Sequence, residues 1–359
     1  MRISIFLLLL LPLPIQAQEE KAETVLASII AAADYASNIV IDKEGKSRCD
    51  YNMTEGKWYP YEEPWHTGQI IYGLLEAYQV TQDDAYLQTA RRAGDWWTGL
   101  EIKQDGPLKG MLRAIHGDDA GDVIVFATVS DGTPGIFALS RITDDDRYAE
   151  VATRAGAWML EYMCDLGKGL CYDGIDPMTR ELIRENSPFH RDKEHQTLYD
   201  VARPNNEGFL FLDMYRFTGN EKYLRAFKIL CQSLIDRQDA FGLWMDFMPN
   251  HASATTFHPR FNLWYAESLI EGYEIVSNPE YLEAAQKTVE RYLMAQRSDG
   301  TLYYKNYLNG DVDRGSICGS SVAFTGLLML RLQQLGVKDY SDKIALCARW
   351  LIRNQYRAD

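Results

Sequence analysis

Beyond its first 18 residues the sequence has no unbroken apolar run of the roughly 20 residues that a membrane-spanning helix requires, so no such helix is expected there. It has no CxxC pair and no Cys/His cluster; a zinc site is therefore not expected, and nothing calls for a cofactor. It also has no basic surplus, since 37 Lys+Arg against 51 Asp+Glu leave a formal charge of −14. That excludes nucleic acid as a partner, because binding it takes a basic face that displaces counterions. The six cysteines, Cys49, Cys164, Cys171, Cys231, Cys318 and Cys347, are irregularly spaced. Cys164 and Cys171 bracket DLGKGL and are placed to close a small loop, whereas Cys231 and Cys347 fall on apolar helix faces that suit buried free thiols. Asp118, Asp119 and Asp122 read as a solvated acidic loop rather than a cation site.

What is present starts with MRISIFLLLLLPLPIQAQ: one arginine, a short leucine-rich run and a small-residue end at Ala17. These features predict a cleaved leader over 1–18, a secreted or periplasmic protein, and one domain over 19–359. With 46% apolar content, the chain has the material for a large core.

A repeat organises the rest. TQDDAYL at 81, TDDDRYA at 143, TGNEKYL at 218, SNPEYLE at 277 and VKDYSDK at 337 place Tyr86, Tyr148, Tyr223, Tyr281 and Tyr340 just past short turns. Each turn has an apolar helical pattern on both sides, which predicts helical hairpins with Asp or Asn capping the second helix. The tyrosines are expected to wedge neighbouring hairpins at a fixed distance. First helices, such as HTGQIIYGLL and GSSVAFTGLLML, are apolar nearly all round and suit burial on both sides; second helices, such as EYLEAAQKTVERYL, are amphipathic and suit an outer layer. Five pairs and an unpaired helix near 21–40 predict an all-α double ring of inner and outer helices, with a twelfth helix expected in 111–130. The returns from outer to inner helices are long. QDGPLKGML, LGKGLCYDG, QDAFGLWMDF and SDGTLYYKNY each read as a turn followed by a short strand or extended loop, and such loops are where function usually lies.

The reactive residues collect in these returns and at the starts of inner helices. All six histidines lie there, among them His66, His190, His195 and His258, with aromatics such as Trp65 and Trp244 that suit stacking on sugar faces. Cleaving a glycosidic bond takes one carboxyl group to protonate the leaving oxygen and another to activate water or attack. Asp131 in SDGTPGIF is the first candidate, read as the N-cap of an inner helix; Glu207 in RPNNEG follows, with Asp200 and then Asp246. Arg203 and Arg260 head two inner helices, and a guanidinium fork matches a carboxylate, so an anionic sugar is the expected ligand.

WHTGQIIYGLLEAYQVTQDDAYL, SDGTPGIFALSRITDDDRYAEVA and RPNNEGFLFLDMYRFTGNEKYL resemble the inner-helix openings of the (α/α)6 toroid in the six-hairpin glycosidase superfamily, over most of the chain. In layout the sequence is similar to the unsaturated glucuronyl and rhamnogalacturonyl hydrolases and related glucuronidases. That resemblance implies an aspartate protonating the C4=C5 bond of an unsaturated uronate and activating water, with Asp131 at the matching position. The WxRGxxW signature of those families is absent; PWHTGQ at 64 echoes it. The leading expectation is thus a glycoside hydrolase acting on an oligosaccharide that bears a uronic acid. A polysaccharide lyase is the alternative, with His195 or Tyr199 as base and Asn205 and Asn206 neutralising the uronate. A non-catalytic glycan-binding toroid is the third reading.

Overall fold

Asp83, Asn220 and Asn278 cap the second helix of their hairpins as expected: their side-chain oxygens accept from the backbone N–H of Ala85, Lys222 and Glu280 at 2.9, 3.1 and 3.1 Å. In four of the five hairpins the helix before the short turn ends on a left-handed residue, Gln82, Asp144, Gly219 or Ser277, with φ of 59°, 53°, 68° and 55°. That conformation lets the chain reverse within two or three residues.

The structure is a computed structural model that describes residues 15–118, 121–190 and 193–355. The chain forms two compact units, Met1–Trp158 and Met159–Asp359. The first unit contains α1 (Ile15–Tyr35), the strand pair β1 (Tyr51–Asn52) and β2 (Lys57–Trp58), the hairpin α2 (Glu63–Thr81) and α3 (Asp84–Thr98), the antiparallel β3 (Ile115–Asp118) and β4 (Gly121–Val125), the short α4 (Phe126–Ser130), α5 (Thr133–Thr143) and most of α6 (Arg147–Tyr162). Among its described residues the segment 111–130 thus holds a strand pair and the five-residue helix α4, so the twelfth helix expected there is present but short. Residues 1–14 of the expected leader lie outside the described residues.

The second unit contains β5 (Cys164–Asp165), β6 (Leu170–Tyr172), β7 (Gly174–Ile175), β8 (Ala202–Arg203), the hairpin α7 (Leu210–Thr218) and α8 (Glu221–Arg237), β9 (Thr256–Phe257), the hairpin α9 (Phe261–Val276) and α10 (Pro279–Ala295), the strands β10 (Tyr303–Tyr307) and β11 (Val312–Ile317), and the hairpin α11 (Gly319–Gln334) and α12 (Ser341–Arg353). The two helix types differ in burial as their patterns predict. α9 buries residues on all sides, including Leu263, Tyr265, Ala266, Leu269 and Ile270; α10 buries one stripe, Tyr281, Ala284, Ala285, Thr288, Val289 and Tyr292. Two of the long returns carry the expected strands, in β5–β6 and in β10. QDAFGLWMDF folds as turns, and QDGPLKGML as turns closed by a single Glu101–Leu112 bridge.

The repeat tyrosines do tie helices together. Tyr86 donates to Asp34 on α1 at 2.8 Å, Tyr148 to Asp95 on α3 at 2.9 Å, and Tyr340 to Glu290 on α10 at 2.9 Å. Tyr281 makes the corresponding bond with the Cys231 thiol on α8. Cys164 and Cys171 form the disulfide, as a cross-strand pair of β5 and β6, and Cys49, Cys231, Cys318 and Cys347 are free and buried.

Candidate active site

In the second unit the chain enters α7 through a single 3-10 turn, Glu207–Phe209, and three residues around it have positive φ: Asn205 at 44°, Gly208 at 71° and Phe209 at 47°. Two of the three are not glycine, so the backbone here is held in a costly conformation by its surroundings. β6 and β8 pair with Cys171 opposite Arg203, which brings the arginine against the end of β6 and the Asp173 that follows it. Arg203 then bridges two carboxylates: its Nε donates to Asp173 Oδ1 at 2.7 Å, and its Nη1 to Glu207 Oε1 at 2.6 Å. The guanidinium also lies over the Phe261 ring, 4.9 Å from its centroid. Asn205 completes the cluster by donating from Nδ2 to Asp173 Oδ1 at 2.9 Å and to the Cys171 carbonyl at 2.8 Å.

The Glu207 side chain is 1% exposed, and its second oxygen, Oε2, is buried without a hydrogen-bond partner among the described residues. Burial pushes this carboxyl above the ordinary range; Arg203 pulls it down, and Asp173 adds to the rise. One cation between two carboxylates leaves a surplus negative charge out of water, and a proton on Glu207 removes it. The Tyr265 hydroxyl on α9 resists ionisation for related reasons, burial first and the Glu207 charge second. Chemically, burial favours the protonated form of this carboxyl beside a fixed cation, which suits it to donate a proton.

This arrangement corrects several sequence expectations. Arg203 is occupied by Asp173 and Glu207, so it is not the clamp for a sugar carboxylate. Asp200 is fully buried, accepting from Lys193 Nζ at 2.6 Å and from Thr197 N at 2.7 Å in a capping box; it is a loop staple rather than a catalyst. The Tyr199 hydroxyl accepts from Arg237 at 2.7 Å, and the same guanidinium lies over its ring, which occupies the group proposed as a base. Asn206 binds the Cys231 thiol at 3.2 Å, and its carbonyl accepts from Ser268, so it fastens the start of α7 to α8 and α9. Trp244 is completely buried, with its indole N–H on the Leu234 carbonyl at 2.8 Å, and belongs to the core rather than to a stacking surface. His190 is buried, and its carbonyl receives Lys193 N and Gln196 Nε2, both at 3.0 Å. His195 has an 89% exposed side chain 3.9 Å from Glu194, and Asp246 is exposed.

Beside α9, His258 Nδ1 accepts from the backbone N–H of Arg260 and Phe261 at 3.2 and 3.0 Å, which makes its ring the cap of that helix. Arg260 donates to Ser320 at 2.8 Å and lies over Trp264. Burial, with the Arg260 charge second, pushes His258 from 6.5 down to about 3. Between those values the unfolded chain binds a proton that the folded chain refuses, so the contribution to stability is complete above 6.5 and is lost as pH falls toward 3. Urea midpoints measured at neutral pH and near pH ~4.5 should therefore drop steeply in the wild type and less in His258→Asn, which keeps a capping oxygen without a titrating ring.

A separate group occupies the first unit. Glu62, in the left-handed region at φ 45°, stands just before α2, and its Oε1 accepts from Thr128 Oγ1 at 2.8 Å and lies 2.5 Å from His116 Nδ1. Tyr61 meets the His116 ring edge-on at 5.0 Å, and Trp65 meets His66 edge-on at 4.7 Å. Asp131 is 8% exposed, but it is the C-cap of α4; Gly132 precedes α5 instead, which corrects its reading as an N-cap. The cause is α4, whose end is fastened to α5 by Thr133 Oγ1 donating to the Ser130 carbonyl at 2.7 Å. Asp119 lies outside the described residues, as do the side chains of Asp118 and Asp122.

Glu62, Asp173 and Glu267 were not singled out from the sequence. Glu267, half-buried on α9, is pushed up to about 8 by burial and by the Glu271 carboxylate one turn on. The i, i+4 spacing of Glu267 and Glu271 on a largely apolar helix is the signal that marks it. Asp173 and Glu62 find their partners 30 and 54 residues away, and no local spacing carries that information. Among the described residues no group of three or more His, Cys, Asp or Glu is arranged to hold a metal ion.

The sequence profile described as "Beta-L-arabinofuranosidase, GH127 catalytic domain" matches residues 43–238. No curated protein matches by sequence. Among solved structures, cellobiose 2-epimerase from Bacillus thermoamylovorans B4167 aligns at 12% identity with a TM-score of 0.72, over 93% of this chain and 88% of that one. An unsaturated glucuronyl hydrolase specific for heparin aligns at 13% identity and a TM-score of 0.61, over 93% and 83%. The unsaturated glucuronyl hydrolase of Bacillus sp. GL1 aligns at 14% identity and 0.56, over 93% and 82%. At such identities the likeness is one of fold, and the fold is the (α/α)6 class of the six-hairpin glycosidases.

Proposed function

This chain belongs to the GH127 catalytic-domain family, it is a glycoside hydrolase, and from that premise we propose that Glu207 is the acid that protonates the leaving oxygen of a neutral furanoside of the β-L-arabinofuranose type. The observation that carries the reading is the buried Asp173–Arg203–Glu207 cluster. A proton passes from Glu207 Oε2 to the glycosidic oxygen, the bond to the anomeric carbon breaks as water adds its oxygen there, and the leaving group departs as an alcohol while the water's proton returns to Glu207. Because Glu207 is 1% exposed, the substrate oxygen reaches Oε2 only when the segments over it part. Turnover then includes an opening step.

The neutral sugar is preferred to the uronate because the arginine meant for a carboxylate already holds two. A uronic-acid substrate is the second reading, and it rests on Arg260, which sits half-buried over Trp264 at the start of α9. Export through the N-terminal leader is part of the proposal; the Cys164–Cys171 bond supports it, because disulfides persist in oxidising compartments.

Assay of p-nitrophenyl β-L-arabinofuranoside beside saturated and unsaturated uronyl disaccharides separates the readings. Release of nitrophenol with no change in the uronyl substrates is the expected outcome. Loss of absorbance near ~230 nm from the unsaturated disaccharide would replace it with the uronate reading, and a gain there, without uptake of water, would indicate β-elimination. Binding of sugar with no turnover on any substrate would leave a glycan-binding protein.

A further inference from the structure

Arg203 is shared between two acids, and only one of them is needed as the proton donor of the proposed reaction. Asp173 takes Nε and Glu207 takes Nη1, while Asn205 donates to the same Asp173 oxygen and anchors itself on the Cys171 carbonyl. Asp173 is thereby fixed from three directions: by Arg203, by Asn205, and by its place directly after β6, whose Cys171 is disulfide-bonded to β5. A surface ion pair does not require such a frame.

We propose that Asp173 is a positioning residue that draws half of the Arg203 guanidinium away from Glu207 and so sets how firmly Glu207 keeps the proton it delivers. This rests on Glu207 being the acid. The groups facing Glu207 are Arg203 from β8, Asp173 from the end of β6 and Tyr265 from α9; of these, Arg203 favours the carboxylate and Asp173 favours the acid. With Asp173 paired to Arg203 at 2.7 Å, loss of the Glu207 proton to the glycosidic oxygen leaves two carboxylates around one cation in a buried site. That surplus charge drives Glu207 to recover a proton from the water that completes hydrolysis, and the cycle closes with atoms and charge balanced. If Asp173 is made neutral, the whole guanidinium charge falls on Glu207 and the acid gives up its proton at a lower pH.

The test is the pH dependence of kcat/KM on the aryl arabinofuranoside. In Asp173→Asn the alkaline limb, where the acid is lost, should move down by roughly one pH unit, the size expected for removing one close charge. Asp173→Glu, which keeps the charge, should leave the limb within a few tenths of a unit of its wild-type position. An unmoved limb in Asp173→Asn, or an equal shift in both variants, overturns the inference. If Asp173→Asn does not fold, the carboxyl carbon of Glu207 can be titrated by NMR in the unaltered enzyme. A two-step curve is expected for an acid coupled to a neighbouring acid, and a single step overturns the coupling. Glu207→Gln separates the two claims: full activity there removes the acid assignment itself, whereas lost activity with an unmoved limb in Asp173→Asn removes only the role of Asp173.

Discussion

Glu207→Gln should lower kcat/KM by roughly 10^2- to 10^4-fold, the range that a positioned general acid contributes. The substitution is nearly isosteric, and the amide oxygen can still accept from Arg203, whose other bond to Asp173 at 2.7 Å is untouched. The fold should therefore survive, and the loss should appear in kcat rather than in substrate binding. The assay compares kcat and KM of the two proteins on the aryl arabinofuranoside, with circular dichroism as the control for folding. Retention of more than about one-tenth of wild-type turnover would set Glu207 aside as the acid and turn attention to the Glu62–His116 pair and to Asp131 in the first unit.

The second large effect concerns the frame of that first unit. α2 and α5 cross at glycines: a Cβ built on Gly135 would lie 2.1 Å from the Gly68 carbonyl oxygen and 2.9 Å from the Tyr72 nitrogen, and one on Gly68 would lie 2.3 Å from the Gly132 Cα. All of these obstacles are backbone, so a methyl group at either position forces the helices apart instead of turning a side chain aside. Gly135→Ala is expected to cost about 3 kcal/mol, at the upper end for overpacking a core. Gly73, five residues along α2 from Gly68, is the matched control. Its Cβ would meet nothing within 4 Å, so Gly73→Ala should be neutral or stabilising by up to about 1 kcal/mol from helix propensity alone. Denaturant midpoints of the two variants should separate in opposite directions from the wild type; a Gly135→Ala midpoint equal to that of Gly73→Ala would mean that the crossing is not as tight as described.

The hairpins were legible because their determinants are local. A period of 3.6, an Asp or Asn cap and a tyrosine just past the turn all lie within about ten residues, and the caps at Asp83, Asn220 and Asn278 followed. The division into helices buried all round and helices buried on one stripe was legible for the same reason. The site was less so. Glu207 could be nominated from its place at the head of a helix, but its hold on a proton comes first from burial and is strengthened by Asp173, which meets Arg203 across 30 residues of sequence. Asp131 was misread because Phe126–Ser130, an apolar run after a strand, forms a short helix and shifts the cap to Gly132. Trp244 and Asp200 carried the composition of a binding loop, and both became internal braces once the loops folded back on themselves.

The tyrosine ties have a consequence for how such a protein can change. Tyr86, Tyr148 and Tyr340 each fasten one amphipathic helix to the one before it, at points that lie on helices or, for Tyr340, at a helix cap, and never in the long returns. Insertions, deletions or exchanged stretches in a return therefore leave the anchoring bonds intact, and the spacing of the helices does not depend on what the returns contain. The scaffold and its chemistry are inherited as separable parts, so that a new substrate can be accommodated by rewriting loops on a frame that need not be rebuilt.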